Sequence, residues 1–250
     1  MTALIFDTET HNLHGEIIEA AWMDVNFVQG AQNNVYFFSN YDHYGSQRYK
    51  PSEPINLVAM AVHNIIDEDL ENCPLSSEFK FPEGAQVEYL IGHNINYDIE
   101  AVNRAGIVTS EIKGICTLAM ARYLWPKLES YKLPVLTYYI HPRNEHKKAR
   151  QLIKDAHGAF TDVQMTYLLL EEICQQKGIQ TLEELYEFSE MARYPTHIFY
   201  GKYKGWAIKD MDDTDIQWLM SKTEDEYLRI SLENELLERC NINEEEQLPF

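Results

Sequence analysis

The first apolar run of the chain, Ala3-Leu4-Ile5-Phe6, ends in Asp7-Thr8-Glu9. In a strand, residues i and i+2 share a face, so Asp7 and Glu9 aim two carboxylates at one point. Two anions side by side repel unless a cation sits between them, and hard oxygen donors favour Mg²⁺ or Mn²⁺. A D-x-E at a strand end is also ordinary turn chemistry, so a metal site requires further acidic residues from elsewhere in the chain.

Two more acidic segments are present. Ile91-Gly92-His93-Asn94-Ile95-Asn96-Tyr97-Asp98 comes directly after the apolar stretch 87–91. His157-Gly158-Ala159-Phe160-Thr161-Asp162 runs into a helical pattern carried by Val163, Thr166, Tyr167, Leu170 and Ile173. Taken together, D-x-E, H-N-x-x-[FY]-D and H-x-A-x-x-D appear in this order. In these residues the chain resembles the histidine-bearing branch of the DEDD superfamily of 3′–5′ exonucleases, over roughly residues 2–175. One position departs from it: relatives often carry Asp-Thr where this chain has Cys116-Thr117, which leaves the four metal carboxylates untouched.

The resemblance implies an α/β, ribonuclease-H-like fold with a five-stranded mixed sheet flanked by helices. It also implies hydrolysis of phosphodiester bonds from DNA 3′ ends by a two-metal mechanism, with release of nucleoside 5′-monophosphates. Asp7, Glu9, Asp98 and Asp162 would hold two Mg²⁺ (or Mn²⁺) ions about 3.5–4 Å apart, the spacing of two-metal sites generally. His157, five residues before Asp162, would hang over the site and take a proton from the attacking water near pH 7. Thr8, Thr10, Met60, His63 and Asn94 are the candidate substrate contacts, and His93 is expected to brace the turn that delivers Asp98. His11, His14, His43, His141, His146 and His197 read as surface or loop residues. An exoribonuclease of the same fold and a non-catalytic binding or proofreading subunit are the alternatives; filled catalytic positions disfavour the second.

At 250 residues and 45% hydrophobic, the chain can bury a full core with a small appendage. No apolar run approaches the ~18–20 residues that a membrane span needs, and no signal peptide is visible, so a cytoplasmic protein is expected. Cys73, Cys116, Cys174 and Cys240 lie far apart, without the C-x-x-C spacing of zinc or redox pairs. The net charge of −19 sits awkwardly with a nucleic-acid partner, since phosphate contacts carry most of the affinity. From Lys113 to Lys154, however, nine Lys or Arg face only Glu129 and Glu145, a local balance of +7. The expected partner is a single-stranded or 3′-ended nucleic acid, DNA before RNA, and a homodimer is compatible with the resemblance.

Along the chain, 2–6, 17–28 and 34–39 read as an antiparallel meander with turns at 12–15 and 29–33. The segment 41–54 reads as a polar connection, 57–64 as a short helix, and 87–91 as a buried strand. A helix over 97–105 closed by Gly106 and a last strand over 112–116 come next, and helices dominate from 117 to 176. A boundary is placed at Gly178, giving an exonuclease domain (1–178) and a small C-terminal module (179–250) with an acidic tail. Thr181, with Glu184 after it, signals a helix start over 181–193. Helical patterns over 215–220 and on to about Cys240 end the module. Between them lies Tyr200-Gly201-Lys202-Tyr203-Lys204-Gly205-Trp206, where Lys202 and Lys204 are candidate phosphate contacts and Tyr203 or Trp206 candidate stacking platforms.

Overall fold

The computed structural model describes residues 2–30, 35–82, 85–154 and 158–245. These divide into two compact units, one of residues 1–118 with 130–187 and one of 119–129 with 188–250.

In the first unit, five strands among the described residues form one mixed sheet. They are β1 (Thr2–Thr10), β2 (Ile17–Gln29), β3 (Val35–Arg48), β4 (Val87–Gly92) and β5 (Lys113–Cys116), in the order β3-β2-β1-β4-β5. β1, β2 and β3 pair antiparallel, while β4 and β5 join parallel, as the resemblance implies. Central β1 is buried from Ala3 to Phe6 without alternation, because its position leaves neither face to solvent. Its carboxylates appear only where that run stops. In chain order the α-helices among the described residues are α1 (Leu57–His63), α2 (Asn96–Arg104), α3 (Thr117–Leu124), α4 (Leu133–Ile140), α5 (His146–Ile153), α6 (Ala159–Lys177), α7 (Leu182–Ala192), α8 (Asp213–Met220) and α9 (Glu226–Glu245). Of these, α6 packs against β1, β2 and β3, and α2 against β1 and β5.

β3 is where the strand reading falls short. The segment 41–54 was expected to be a connection, yet β3 continues to Arg48, pairing Tyr44 with Met23 and Arg48 with Glu19. An edge strand with one side free tolerates polar residues that an inner strand would reject, so composition alone hides it. The register jumps between Met23 and Val25, which lets the long strand bend past β2.

The helices end as their residues dictate. Gly178 takes a left-handed conformation (φ 68°) after α6, and Gly106 (φ 91°) follows α2. At α7 (Leu182–Ala192), Thr181 Oγ1 accepts from Glu184 N at 3.1 Å, and the Glu184 carboxylate accepts from Gln180 N at 2.8 Å.

The second unit has its own core of Ile198, Tyr203, Ile208, Met211, Ile216, Leu219, Leu228 and Leu232, half of it from α8 (Asp213–Met220) and α9 (Glu226–Glu245) and half from the segment before them. Tyr123 meets Phe188 edge-on, and the Arg122 guanidinium lies 3.8 Å from the centre of the Phe199 ring.

Candidate active site

Strand alternation buries Thr8 and Thr10 and leaves Asp7 and Glu9, only partly covered, together on the opposite face. Thr8 then ties the second motif to the first: its backbone N–H and its hydroxyl both donate to Asp98 Oδ1, at 2.8 and 2.7 Å. Asp98 is buried in the first turn of α2, so these bonds fix that helix's start onto β1. The approach is close enough to demand glycine at 92. A Cβ there would stand 2.9 Å from the Phe6 carbonyl oxygen and 3.5 Å from Asp98 Oδ2. His93 braces the same turn, with Nδ1 3.0 Å from Thr117 Oγ1 and Nε2 2.7 Å from the Tyr131 carbonyl oxygen. Asn94 comes next in a left-handed conformation (φ 77°), exposed, its carbonyl accepting from Tyr97 N.

The third motif brings Asp162 in the first turn of α6. His157, the expected general base, lies outside the described residues. Electrostatics show that the four carboxylates of the motifs are neighbours. Burial pushes Asp7 well above the usual carboxylate range, and Asp98, Asp162, Glu9 and Glu19 add repulsion. Glu9 is pushed up to about 8 by burial and then by Asp162, Glu19 and Asp98. Asp98 rises to about 7 through burial and Asp162, against the lowering effect of the Thr8 hydrogen bonds. Among the described residues, no three acidic, histidine or cysteine side chains close into a coordination shell around one point. The donor set still fits a hard divalent cation: every side chain in it offers carboxylate oxygen, and Asp98, Asp162 and Glu9 all raise the cost of ionising Asp7.

Beside Glu9 opens a cavity of about 500 Å³, lined by Glu9, Thr10, Asn12, Leu13, Val58, Val62, His63 and Tyr97 among others. Its rim is apolar, with Leu13 and Val58 70% and 75% exposed. His63 is buried; its Nδ1 accepts from Ile65 N at 3.0 Å, so the neutral ring carries its proton on Nε2. Burial lowers its pKa and favours that neutral form. Thr10 Oγ1 bonds to the Tyr97 hydroxyl and to the Asn12 carbonyl, and so shapes the floor of the cavity. Met60 does not line it, packing instead on the cluster of Ile18, Ile55, Ile65 and Leu70.

His11 lies in the loop after β1 but is buried there; its Nδ1 accepts from Glu16 N at 2.9 Å, and a Cβ on Gly15 would stand 2.6 Å from it. One sequence reading is corrected. Tyr203, taken for a stacking platform, is 6% exposed in the core of the second unit. In that unit Trp206 stays half-exposed, Lys202 Nζ lies 4.3 Å from the Tyr203 ring centre, and Lys204 donates to the Glu129 carbonyl.

Glu19 was missed altogether. It is 7% exposed, pairs with Arg48 (Nε to Oε1, 3.0 Å) and accepts from Ala159 N at 3.1 Å. An acid inside Ile17-Ile18-Glu19-Ala20-Ala21 was the available signal, since a charge in a buried strand requires partners.

No protein-family model matches the chain. It is 28% identical over 244 residues to exodeoxyribonuclease 10 of Escherichia coli (strain K12), covering 93% of this chain and 97% of that one. Exonuclease X, solved in complex with 5′ overhanging duplex DNA, shares the fold with a TM-score of 0.53 at 27% identity, over 75% of this chain and 99% of that one. The zinc-bound E. coli ExoI–ssDNA complex gives 0.52 at 15% identity, over 77% and 43%, a likeness of fold alone. In fold and motif order the chain is thus similar to the exonucleases of the DEDD superfamily. Within that class the individual likeness runs to exodeoxyribonuclease X, across nearly the whole of both chains.

Proposed function

We propose that the protein is a divalent-metal-dependent 3′–5′ exodeoxyribonuclease that trims DNA 3′ ends to nucleoside 5′-monophosphates. The observation that carries this is the gathering of Asp7, Glu9, Asp98 and Asp162 from three separate motifs into one set of mutually repelling carboxylates beside an apolar-rimmed cavity. The names of the exodeoxyribonuclease relative and of the DNA-bound exonuclease X support DNA as substrate.

Asp7, Glu9, Asp98 and Asp162 would hold two Mg²⁺ or Mn²⁺ ions. Bound there, the ions supply a water of lowered pKa and neutralise charge at the leaving 3′ oxygen. The chain's own groups do the rest. Thr8 holds Asp98 in place through one oxygen and leaves the other for a ligand. The cavity beside Glu9 accommodates the terminal nucleotide, with Leu13, Val58 and Val62 offering apolar surface to the base. His63 lines the same cavity and is a candidate contact for the terminal nucleotide. His157 acts as general base. Residues 188–250, with 119–129, form an accessory module, and Lys202 and Lys204 are its candidate phosphate contacts. Among the described residues no helix is long and apolar enough to cross a membrane, and a cytoplasmic site of action fits this reading.

Matched 5′-labelled DNA and RNA oligomers, incubated with Mg²⁺ or Mn²⁺, test the proposal. It requires DNA to be shortened from the 3′ end faster than RNA, and EDTA to stop the reaction. Equal or faster RNA shortening would make the enzyme an exoribonuclease; binding of either oligomer without cleavage would make it a binding subunit.

A further inference from the structure

Glu9 faces Glu19 directly across the antiparallel β1–β2 pair, and Glu19 faces Arg48 directly across β2–β3. Like charges opposite one another weaken a sheet, so a buried acid at position 19 needs compensation. Both of its carboxylate oxygens are in use. Oε1 accepts from Arg48 Nε at 3.0 Å, and Oε2 accepts from the backbone N–H of Ala159 at 3.1 Å.

Ala159 is the first residue of α6, and the residue before it is Gly158, which has no side chain with which to cap the helix. The first N–H groups of a helix lack partners within it. In this chain a strand residue 140 positions earlier supplies one. Asp162 lies three residues further on, within the turn that this bond holds.

We propose that Glu19, held by Arg48, is a positioning residue for the exonuclease reaction. It clamps the first turn of α6 to β2 and thereby sets where Asp162 stands relative to Asp7 and Glu9. With one oxygen bonded to Arg48 Nε and the other to Ala159 N, Glu19 is assigned to holding the helix and not to the metal. This inference rests on the function proposed above, and it extends the working site from the carboxylates of the motifs to an ion pair at the sheet edge.

The test compares Glu19→Ala, Glu19→Gln and Arg48→Met with the wild-type chain, using a short single-stranded DNA oligomer and Mn²⁺. A displacement of about 1 Å at a reacting group costs on the order of 10²-fold in rate. Glu19→Ala should therefore lower kcat by about that factor with KM within a few-fold. Glu19→Gln, whose amide oxygen still accepts from Ala159 N, should recover most of the rate. Arg48→Met should lose several-fold, because Glu19 keeps its bond to the helix.

Amide hydrogen exchange gives a reading independent of turnover: Glu19→Ala should lose protection at Ala159, and Glu19→Gln should keep it. If the wild type cleaves no DNA with any divalent ion, the proposed function fails, and the exchange experiment alone still decides the clamp. Three results would overturn the inference. One is a folded Glu19→Ala within a few-fold of wild-type kcat. Another is unchanged protection at Ala159. The third is a Glu19→Gln variant as inactive as Asp162→Ala and unable to bind Mn²⁺, which would make Glu19 a ligand. If Glu19→Ala does not fold, the Gln and Arg48→Met variants carry the same comparison.

Discussion

Thr8 donates twice to one oxygen of Asp98, and that pair of bonds ties the first motif to the second. Thr8→Val keeps the shape and the backbone bond but removes the hydroxyl. It is expected to cost about 1–3 kcal/mol, the range for leaving a buried polar group short of a partner, as measured by urea unfolding. The Mn²⁺ concentration for half-maximal activity should rise as well. Asp7→Ala and Asp162→Ala should abolish hydrolysis yet leave the metal-free protein at least as stable as wild type, because each removes one member of a repelling set. Lower stability in both would mean that their burial is compensated by bonds that repulsion does not outweigh. At this scale the sequence was most legible where chemistry demands a given side chain at fixed spacing, as at Asp7, Glu9, Asp98 and Asp162. Glu19 and Arg48 escaped because their partners lie 140 and 29 residues away, and neither spacing leaves a local pattern. The burial of His11 depends on a turn that folds Gly15 against its ring, which composition likewise conceals.

Among the elements, the junction of β1, β4 and α2 has the least slack. Gly92→Ala would push a methyl group to 2.9 Å from the Phe6 carbonyl, so β4 or the start of α2 must shift. Overpacking of this kind costs roughly 1–3 kcal/mol. Because the shift falls beside Asp98, kcat should drop more than stability predicts, and calorimetry alongside single-turnover kinetics would separate the two. The strands, α2 and α7 were legible to within a few residues, since apolar runs, Gly106, Gly178 and Thr181 mark their limits. The far half of β3 was not, because an edge strand's polar residues read as loop until their pairing with β2 is known.

For the whole molecule, the raised carboxyls fix how stability should depend on pH. Glu9 and Asp98 titrate near 8 and 7 in the folded chain, against 4.5 and 3.8 as ordinary values. Between about pH 4 and pH 8 the folded form therefore holds protons that the unfolded form has released. Stability of the metal-free protein should fall as pH rises through that window and level off above it. Saturating Mg²⁺ should flatten the fall, and its affinity should rise with pH, because the ligands must lose those protons to bind it. Thermal unfolding with EDTA and with Mg²⁺, from pH 5 to 9, checks both. A metal-free protein that gains stability from pH 5 to 8 would contradict the clustering of these carboxylates. Division into units is likewise a whole-chain property. Residues 119–129 join 188–250 through contacts such as Tyr123 with Phe188, which no local signal at Gly178 reveals. A chain cut after Gly178 loses Phe188 and Phe199 from Tyr123 and Arg122, and should melt several degrees lower than full-length protein.

Whether these four carboxylates hydrolyse DNA from its 3′ end can be read from a time course on a 5′-labelled single-stranded DNA oligomer. Wild type with Mg²⁺ should give a ladder of labelled products, each shorter by one nucleotide. Asp162→Asn, which keeps the shape of the side chain and removes its charge, should give none. Immediate release of a labelled mononucleotide would reverse the direction. A ladder of wild-type intensity from Asp162→Asn would show that the chemistry lies elsewhere.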